Sequence, residues 1–231
     1  MFLDNLVTTL NQVIFRYPDA LNYLHSRGVT DDEIRTRKIG YSKVISVPDD
    51  GSPDRKRFMN ESYRGKKFEN KIIFPIQDPM ERVIGIAGRN IVTKEFKTFI
   101  TEEAKCMGFF FGLFQALPII YKENRTFIVE GYFDQIAMAK VLPNTVATLT
   151  SSISDTQYEF LMMYCDQIIT CFDSDGPGQR GTERALEFGN VYAMNIGYKD
   201  PAKCFESLSF SNFKEHITKK ALIAKKGNEL F

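Results

Sequence analysis

Thr126-Phe127-Ile128-Val129-Glu130-Gly131 and Gln167-Ile168-Ile169-Thr170-Cys171-Phe172-Asp173-Ser174-Asp175 decide the fold of this 231-residue chain. In both stretches the apolar residues are continuous rather than alternating, the pattern of strands covered on both faces of a parallel sheet. Each run gives out at a carboxylate. The acids therefore stand at carboxyl ends of strands, the edge where open α/β sheets bind ligands, and hard oxygen donors there suit Mg²⁺.

Outward from these stretches, the rhythm after about residue 120 is strand, helix, strand, helix. Strands at 126–130, 145–149, 167–172 and 191–196 alternate with helices at 132–142, 154–164, 178–189 and one after 210, which predicts a parallel α/β unit. Ser154 is a good N-cap, and Pro177 suits an early helical position. Asp134, one turn into its helix, can face the same space as Glu130. Asp173 and Asp175, two apart, can share a side of an extended loop, and Gly176 and Gly178 let the chain swing into the next helix. Acids this close repel unless a dication neutralises them. Taken singly, an Asp-x-Asp near glycines also reads as a turn, and an acid after a strand as a helix cap.

Before residue 100 the pattern differs. Phe2, Leu3, Leu6, Leu10, Val13 and Ile14 fall near helical spacing, a second helix follows Pro18, and Thr30 caps a third. Residues 48–57 read as a polar loop. Ile72–Ile76 and Val83–Gly88 form a predicted hairpin about Asp78–Glu81, with a third strand at 96–100. Net charge is only +1, yet residues 1–100 carry 17 Lys+Arg against 13 Asp+Glu, and the remainder 13 against 16. Arg55, Lys56, Arg57, Arg64, Lys66, Lys67 and Lys71 are interleaved with Phe58, Tyr63 and Phe68. Such a mixture can hold phosphates and stack bases, and it reads equally as a solvated loop.

Four cysteines without a close C-x-x-C pair read as reduced core thiols. The start lacks a basic n-region, and no apolar run approaches the roughly 20 residues of a membrane span. A soluble, cytoplasmic protein is expected, with no membrane partner.

Val129-Glu130-Gly131-Tyr132-Phe133-Asp134 resembles the Glu-Gly-Tyr-x-Asp motif of TOPRIM domains in bacterial and phage DnaG-type primases. Cys171-Phe172-Asp173-Ser174-Asp175-Gly176-Pro177-Gly178 resembles their Asp-x-Asp-x-x-Gly motif. Tyr23-Leu24-His25-Ser26-Arg27-Gly28, Ile39-Gly40-Tyr41, Lys71–Ile76, Val83–Arg89 and Ala147–Ser152 resemble further family elements, in the family's order. The resemblance implies a TOPRIM-type parallel sheet flanked by helices, preceded by a smaller basic α+β subdomain. The expected division is 1–118, 119–208 and a C-terminal helix at 209–231. It also implies catalysis by Glu130, Asp173, Asp175 and Asp134, with Mg²⁺, or Mn²⁺ in its place, on Glu130, Asp173, Asp175 and Asp200. Arg27, Lys71, Arg89, Lys97 and Lys105 would contact template or nucleotide.

Ala202 stands where the family's Asp-Pro-Asp element has its second acid, which weakens the expected second metal position. No cysteine precedes Cys106, so an amino-terminal zinc ribbon is not expected, and start-site recognition is expected either to come from another protein, such as a separate zinc-ribbon protein, or to be relaxed. The implied reaction is synthesis of short RNA primers on single-stranded DNA from ribonucleotides, beside a replicative helicase, in a bacterial or phage-infected cell. A TOPRIM nuclease and a non-catalytic nucleic-acid-binding factor are the alternatives.

Overall fold

The computed structural model describes residues 2–45 and 50–224, and the chain divides into two compact units, 1–106 and 107–231. In the first, α1 (Phe2–Ile14), α2 (Pro18–Ser26) and α3 (Asp31–Thr36) precede β1 (Gly40–Ser42). After them come α4 (Pro53–Glu61), β2 (Lys71–Gln77), β3 (Val83–Asn90), β4 (Phe96–Ile100) and α5 (Glu102–Met107). The four strands pair antiparallel in sequence order. Thr30 closes a full capping box with Glu33, an arrangement that stabilises a helix start by about 1 kcal/mol.

The core of this unit corrects one sequence expectation. Residues 53–57, assigned to a polar loop, begin α4, because Ser52 accepts a hydrogen bond from the Arg55 amide and Pro53 occupies the first turn. The remaining positions of that loop include 48 and 49, which lie outside the described residues. Helical spacing then turns Phe58 inward, stacked on Phe68 at 5.5 Å and edge-on to Phe99 at 5.1 Å. Burying each such ring contributes roughly 1.5–3 kcal/mol, far more than an exposed stacking surface recovers without a ligand. Phe58 and Phe68 are therefore core, and Tyr63 alone of the three interleaved aromatics is exposed, at 69%.

The second unit holds α6 (Leu113–Glu123), β5 (Arg125–Val129), α7 (Tyr132–Ala139), β6 (Thr145–Ala147) and α8 (Asp155–Met162). It continues through β7 (Gln167–Thr170), α9 (Gly176–Ala185), β8 (Val191–Ala193), α10 (Pro201–Ser207) and α11 (Phe210–Leu222). Its sheet is wholly parallel, in the order β6-β5-β7-β8. Each strand expected from the apolar runs is present, and β5 and β7 lie side by side at the centre. Ile128, Val146, Ile168 and Val191 are buried with Phe110, Leu113, Ala116 and Ile120. That packing, with the bridge between Phe111 and Ala147, puts residues 107–118 in the second unit, whereas the sequence reading assigned them to the first. α11, expected to stand apart, belongs to the second unit too, with Phe213 buried edge-on to Phe205 of α10 at 5.1 Å; residues 225–231 of that expected helix lie outside the described residues.

Candidate functional site

The central pair of parallel strands delivers the acids to one edge. Glu130 follows β5 directly, and Asp173 lies three residues beyond the end of β7. The Asp173 amide donates to Glu130 Oε1 at 2.9 Å, joining the two loops. Asp134 sits in the first turn of α7, where its Oδ1 accepts from the Ala202 amide at 3.0 Å. Asp175 is the N-cap of α9 and accepts from the Gly178 amide at 3.2 Å. Asp200 is the N-cap of α10 and accepts from the Lys203 amide at 2.6 Å. The Ser174 amide donates to the Lys199 carbonyl at 2.8 Å, tying the loop after β7 to the one before α10. The bland reading of an acid as a cap is thus true of Asp175 and Asp200, and each keeps a second carboxylate oxygen free of that cap.

These groups form one electrostatic set. Burial, then the Glu130, Asp200 and Asp175 charges, push the Asp173 carboxyl up to about 7, with Lys199 opposing. Burial also raises Glu130, against the hydrogen bond from the Asp173 amide, and Asp175, Asp134 and Asp200 add to the rise. Among the described residues, no three His, Cys, Asp or Glu side chains close into a ready-made metal-holding group. Mg²⁺ does not demand one. It keeps several waters and is held through one or two carboxylates completed by substrate phosphates. Hard oxygen donors that stay half-exposed and crowd one another's charge fit such an ion, which would relieve the repulsion.

Softer donors do not compete. Burial raises the Cys171 thiol, and Cys204 to about 11, so both stay protonated. His25 pairs with Asp31 at 2.7 Å on an exposed helix surface, and His216 is bound to the Ile196 carbonyl. A cleft of ≈ 370 Å³, unforeseen in the sequence, adjoins Asp173 and is lined by Phe172, Gln179, Thr182, Leu186, Met194 and Tyr198 among others. Residues of α9 and of the chain from the end of β8 onward line it together, a tertiary arrangement with no linear signature.

The expected cations belong to the first unit, and the sheet divides them. Directly paired residues share a face, so the pairing of Arg89 with Ile72 and Phe96, and of Gly88 with Ile73 and Lys97, separates Arg89 from Lys97. Lys71, two residues before Ile73, shares the Lys97 face. Both lysines meet Glu95, Lys97 at 2.6 Å and Lys71 at 4.0 Å. Arg89 donates to the Tyr23 hydroxyl at 2.7 Å and lies 4.6 Å over the Phe96 ring. Arg27, at the C-cap of α2, belongs to the same helix end as Tyr23. Lys105 pairs with Glu102 at 2.9 Å, which also accepts from Arg57 at 2.6 Å. Arg57 was read only as part of a basic run. Its spacing of four from Glu61 and three from Asp54 was the available signal that it is a structural cation.

Comparison with known proteins follows the same division. Residues 10–106 match the family model "DNA primase catalytic core, N-terminal domain", and residues 127–203 match "Toprim-like". The DNA primase of Rickettsia typhi is 30% identical over 187 residues, covering 73% of this chain and 31% of that protein. The chain thus spans less than half the length of the curated relatives it matches. A DNA primase domain from Pseudomonas aeruginosa superposes with a TM-score of 0.79 at 25% identity, covering 98% of this chain and 79% of that one. A DnaG primase catalytic domain solved bound to single-stranded DNA gives 0.76 at 24% identity, covering 97% and 78%. Two consecutive models, the primase relatives and the shared fold agree: the chain belongs to the DnaG-type primase catalytic-core family.

Proposed function

We propose that this chain joins ribonucleotides into short RNA primers on a single-stranded DNA template, as a nucleotidyltransferase with DNA-directed RNA polymerase activity. The observation that carries the proposal is the joining of Glu130 and Asp173 at the carboxyl edge of a parallel sheet, with Asp134, Asp175 and Asp200 inside the same electrostatic set. The family's relatives are DNA primases, and a domain of the same fold binds single-stranded DNA. In the reaction a primer 3′-hydroxyl attacks the α-phosphorus of the incoming nucleotide, a phosphodiester forms, and pyrophosphate leaves.

Glu130, Asp173, Asp175 and Asp200 would hold the divalent cation, Mg²⁺ or Mn²⁺. When bound, the ion supplies Lewis-acid stabilisation of charge on the transferred phosphoryl group. Asp134 supports the set by fixing the first turn of α10 through the Ala202 amide. The amide donated by Asp173 fixes Glu130 toward the same edge. Arg27, Lys71, Arg89, Lys97 and Lys105 would hold template and nucleotide phosphates. The pairing of Lys71 and Lys97 with Glu95, of Arg89 with Tyr23 and of Lys105 with Glu102 keeps those side chains extended and oriented before a phosphate replaces or shares each partner. A replicative helicase and a separate zinc-ribbon protein are the proposed partners, in the cytoplasm of a bacterial or phage-infected cell.

The test is incubation with single-stranded templates, labelled ribonucleotides and Mg²⁺ or Mn²⁺, with and without the helicase. Template-dependent, alkali-labile oligomers are expected. Cleavage of the DNA without synthesis, or no product in any condition, overturns the proposal.

A further inference from the structure

We infer that Gly178 is a positioning residue for the acidic edge: the space left by its missing side chain seats the Glu130 carboxylate and the Asp173 carbonyl, and so sets the affinity for a divalent cation. The inference rests on the metal-binding reading above. A Cβ built on Gly178 would collide with the Asp173 carbonyl oxygen, lie 2.6 Å from Glu130 Oε1, and lie 2.9 Å from the Asp173 carbonyl carbon. No positive φ is required here, since Gly178 lies within α9 and is not among the left-handed glycines. Glycine is needed for contact rather than for backbone freedom, and the sequence expectation that it serves to swing the chain into the helix is replaced by this reason.

Three acids meet at this one residue. Its amide donates to Asp175 Oδ1 at 3.2 Å, its missing side chain admits Glu130 Oε1, and that oxygen is itself held by the Asp173 amide at 2.9 Å. The Asp173 carbonyl is backbone, and Glu130 Oε1 is held by the Asp173 amide, so neither gives way without loosening the joined loops. A methyl group at 178 must therefore displace the Glu130 carboxylate, or lift the start of α9 and carry Asp175 away. Gly176, two residues earlier, differs: its Cβ would meet only the flexible end of Arg180, at 3.2 Å. The two glycines thus offer the same chemical change on the same helix, with and without contact to the acids.

The experiment measures Mn²⁺ uptake by the full chain from the loss of the free-ion electron paramagnetic resonance signal, with a thermal melt of each variant to establish folding. Gly178→Ala is expected to weaken binding roughly tenfold to a hundredfold, the usual cost of disturbing a group that orients a metal ligand. Gly176→Ala is expected to bind close to the wild-type value. In a Glu130→Gln background, Gly178→Ala should add little, because the group it acts through has already lost its charge. Wild-type affinity in Gly178→Ala, equal losses in both glycine variants, or additive losses with Glu130→Gln would each overturn the inference while leaving the metal reading standing. A wild-type chain that takes up no Mn²⁺ would sink both. Should Gly178→Ala not fold, the wild-type Gly178 amide resonance is followed during Mg²⁺ titration. It is expected to shift while that of Gly189, which has nothing within 4 Å of a built Cβ, stays in place. A stationary Gly178 resonance overturns the inference.

Discussion

The two units handle charge in opposite ways. In the first, the cations proposed to hold template and nucleotide are already answered: Lys97 and Lys71 by Glu95, Lys105 by Glu102, and Arg89 by the Tyr23 hydroxyl and the Phe96 ring. In the second, five acids share one edge, and burial with the neighbouring carboxylates raises the proton affinity of Glu130 and Asp173, Lys199 opposing at Asp173. A basic surface that must release and regrip a polymer works with weak, exchangeable pairs, each worth little in water. A site that must hold a dication has to leave its repulsion unrelieved until the ion arrives. Under the proposed function, the contrast is between a surface suited to traffic and a centre suited to one occupant.

The sharpest break of that contrast is Asp173→Asn, which removes a charge and almost nothing else. Primer synthesis is expected to fall on the order of a thousandfold, the scale on which groups stabilising phosphoryl transfer act. Circular dichroism should be unchanged, and activity near wild type would remove Asp173 from the centre. Next in size is Phe58→Ala in the core of the first unit, expected to cost about 3–5 kcal/mol in urea unfolding. A loss near zero would mean that the ring is not the keystone its burial indicates.

A third test uses the proton affinity of the acids. The Asp173 carboxyl is raised from 3.8 to about 7, so its contribution to stability is fully present below the lower value and is lost as pH rises through the upper one. Glu130 acts in the same direction. The chain in EDTA should therefore melt at lower temperature as pH climbs from about 4 to 7, and Mg²⁺ should restore the loss at the alkaline end. Asp173→Asn should flatten the dependence and melt higher than wild type at alkaline pH. A slope unchanged by the substitution would detach Asp173 from the effect. The smallest expected change is in Lys97→Ala, which should lower the slope of log affinity for single-stranded DNA against log salt by about one. An unaltered slope in fluorescence anisotropy would show that Lys97 stays with Glu95 throughout.

How much of this was legible in the sequence also divides along the two units. Continuous apolar runs from Thr126 to Val129 and from Gln167 to Phe172 announced both the parallel sheet and the edge at which Glu130 and Asp173 would stand. The signal was strong because such strands are buried on both faces and tolerate little else. In the first unit, the start of α4 was hidden by the polar sequence around Asp50, Pro53 and Asp54, although Ser52 followed by Pro53 was a helix start in plain view. The alternation of Arg57, Phe58, Tyr63 and Phe68 read equally as a binding segment and as a solvated loop, and neither showed Phe58 and Phe68 as core, because a linear list does not show which side of a helix each residue takes. The short α10 and the division near residue 107 depend on tertiary packing, the bridge of Phe111 to Ala147 above all. Even where the acids were foreseen, the Asp173-Ser174-Asp175 run also read as a turn, and that Asp175 and Asp200 cap α9 and α10 emerged only from the fold.

That double duty, helix cap and proposed metal ligand, changes what a mutational scan of this chain reports. Alanine at Asp175 or Asp200 removes a helix-capping acceptor together with a charge, at a typical capping cost of about 1 kcal/mol. In an assay of abundance the two positions would rank with ordinary structural residues, and their chemistry would be scored as mere foldability. Asparagine caps a helix as well as aspartate does. At these two addresses, the gap between the alanine and asparagine results separates the part of the acid that shapes the protein from the part that the proposed metal chemistry would use.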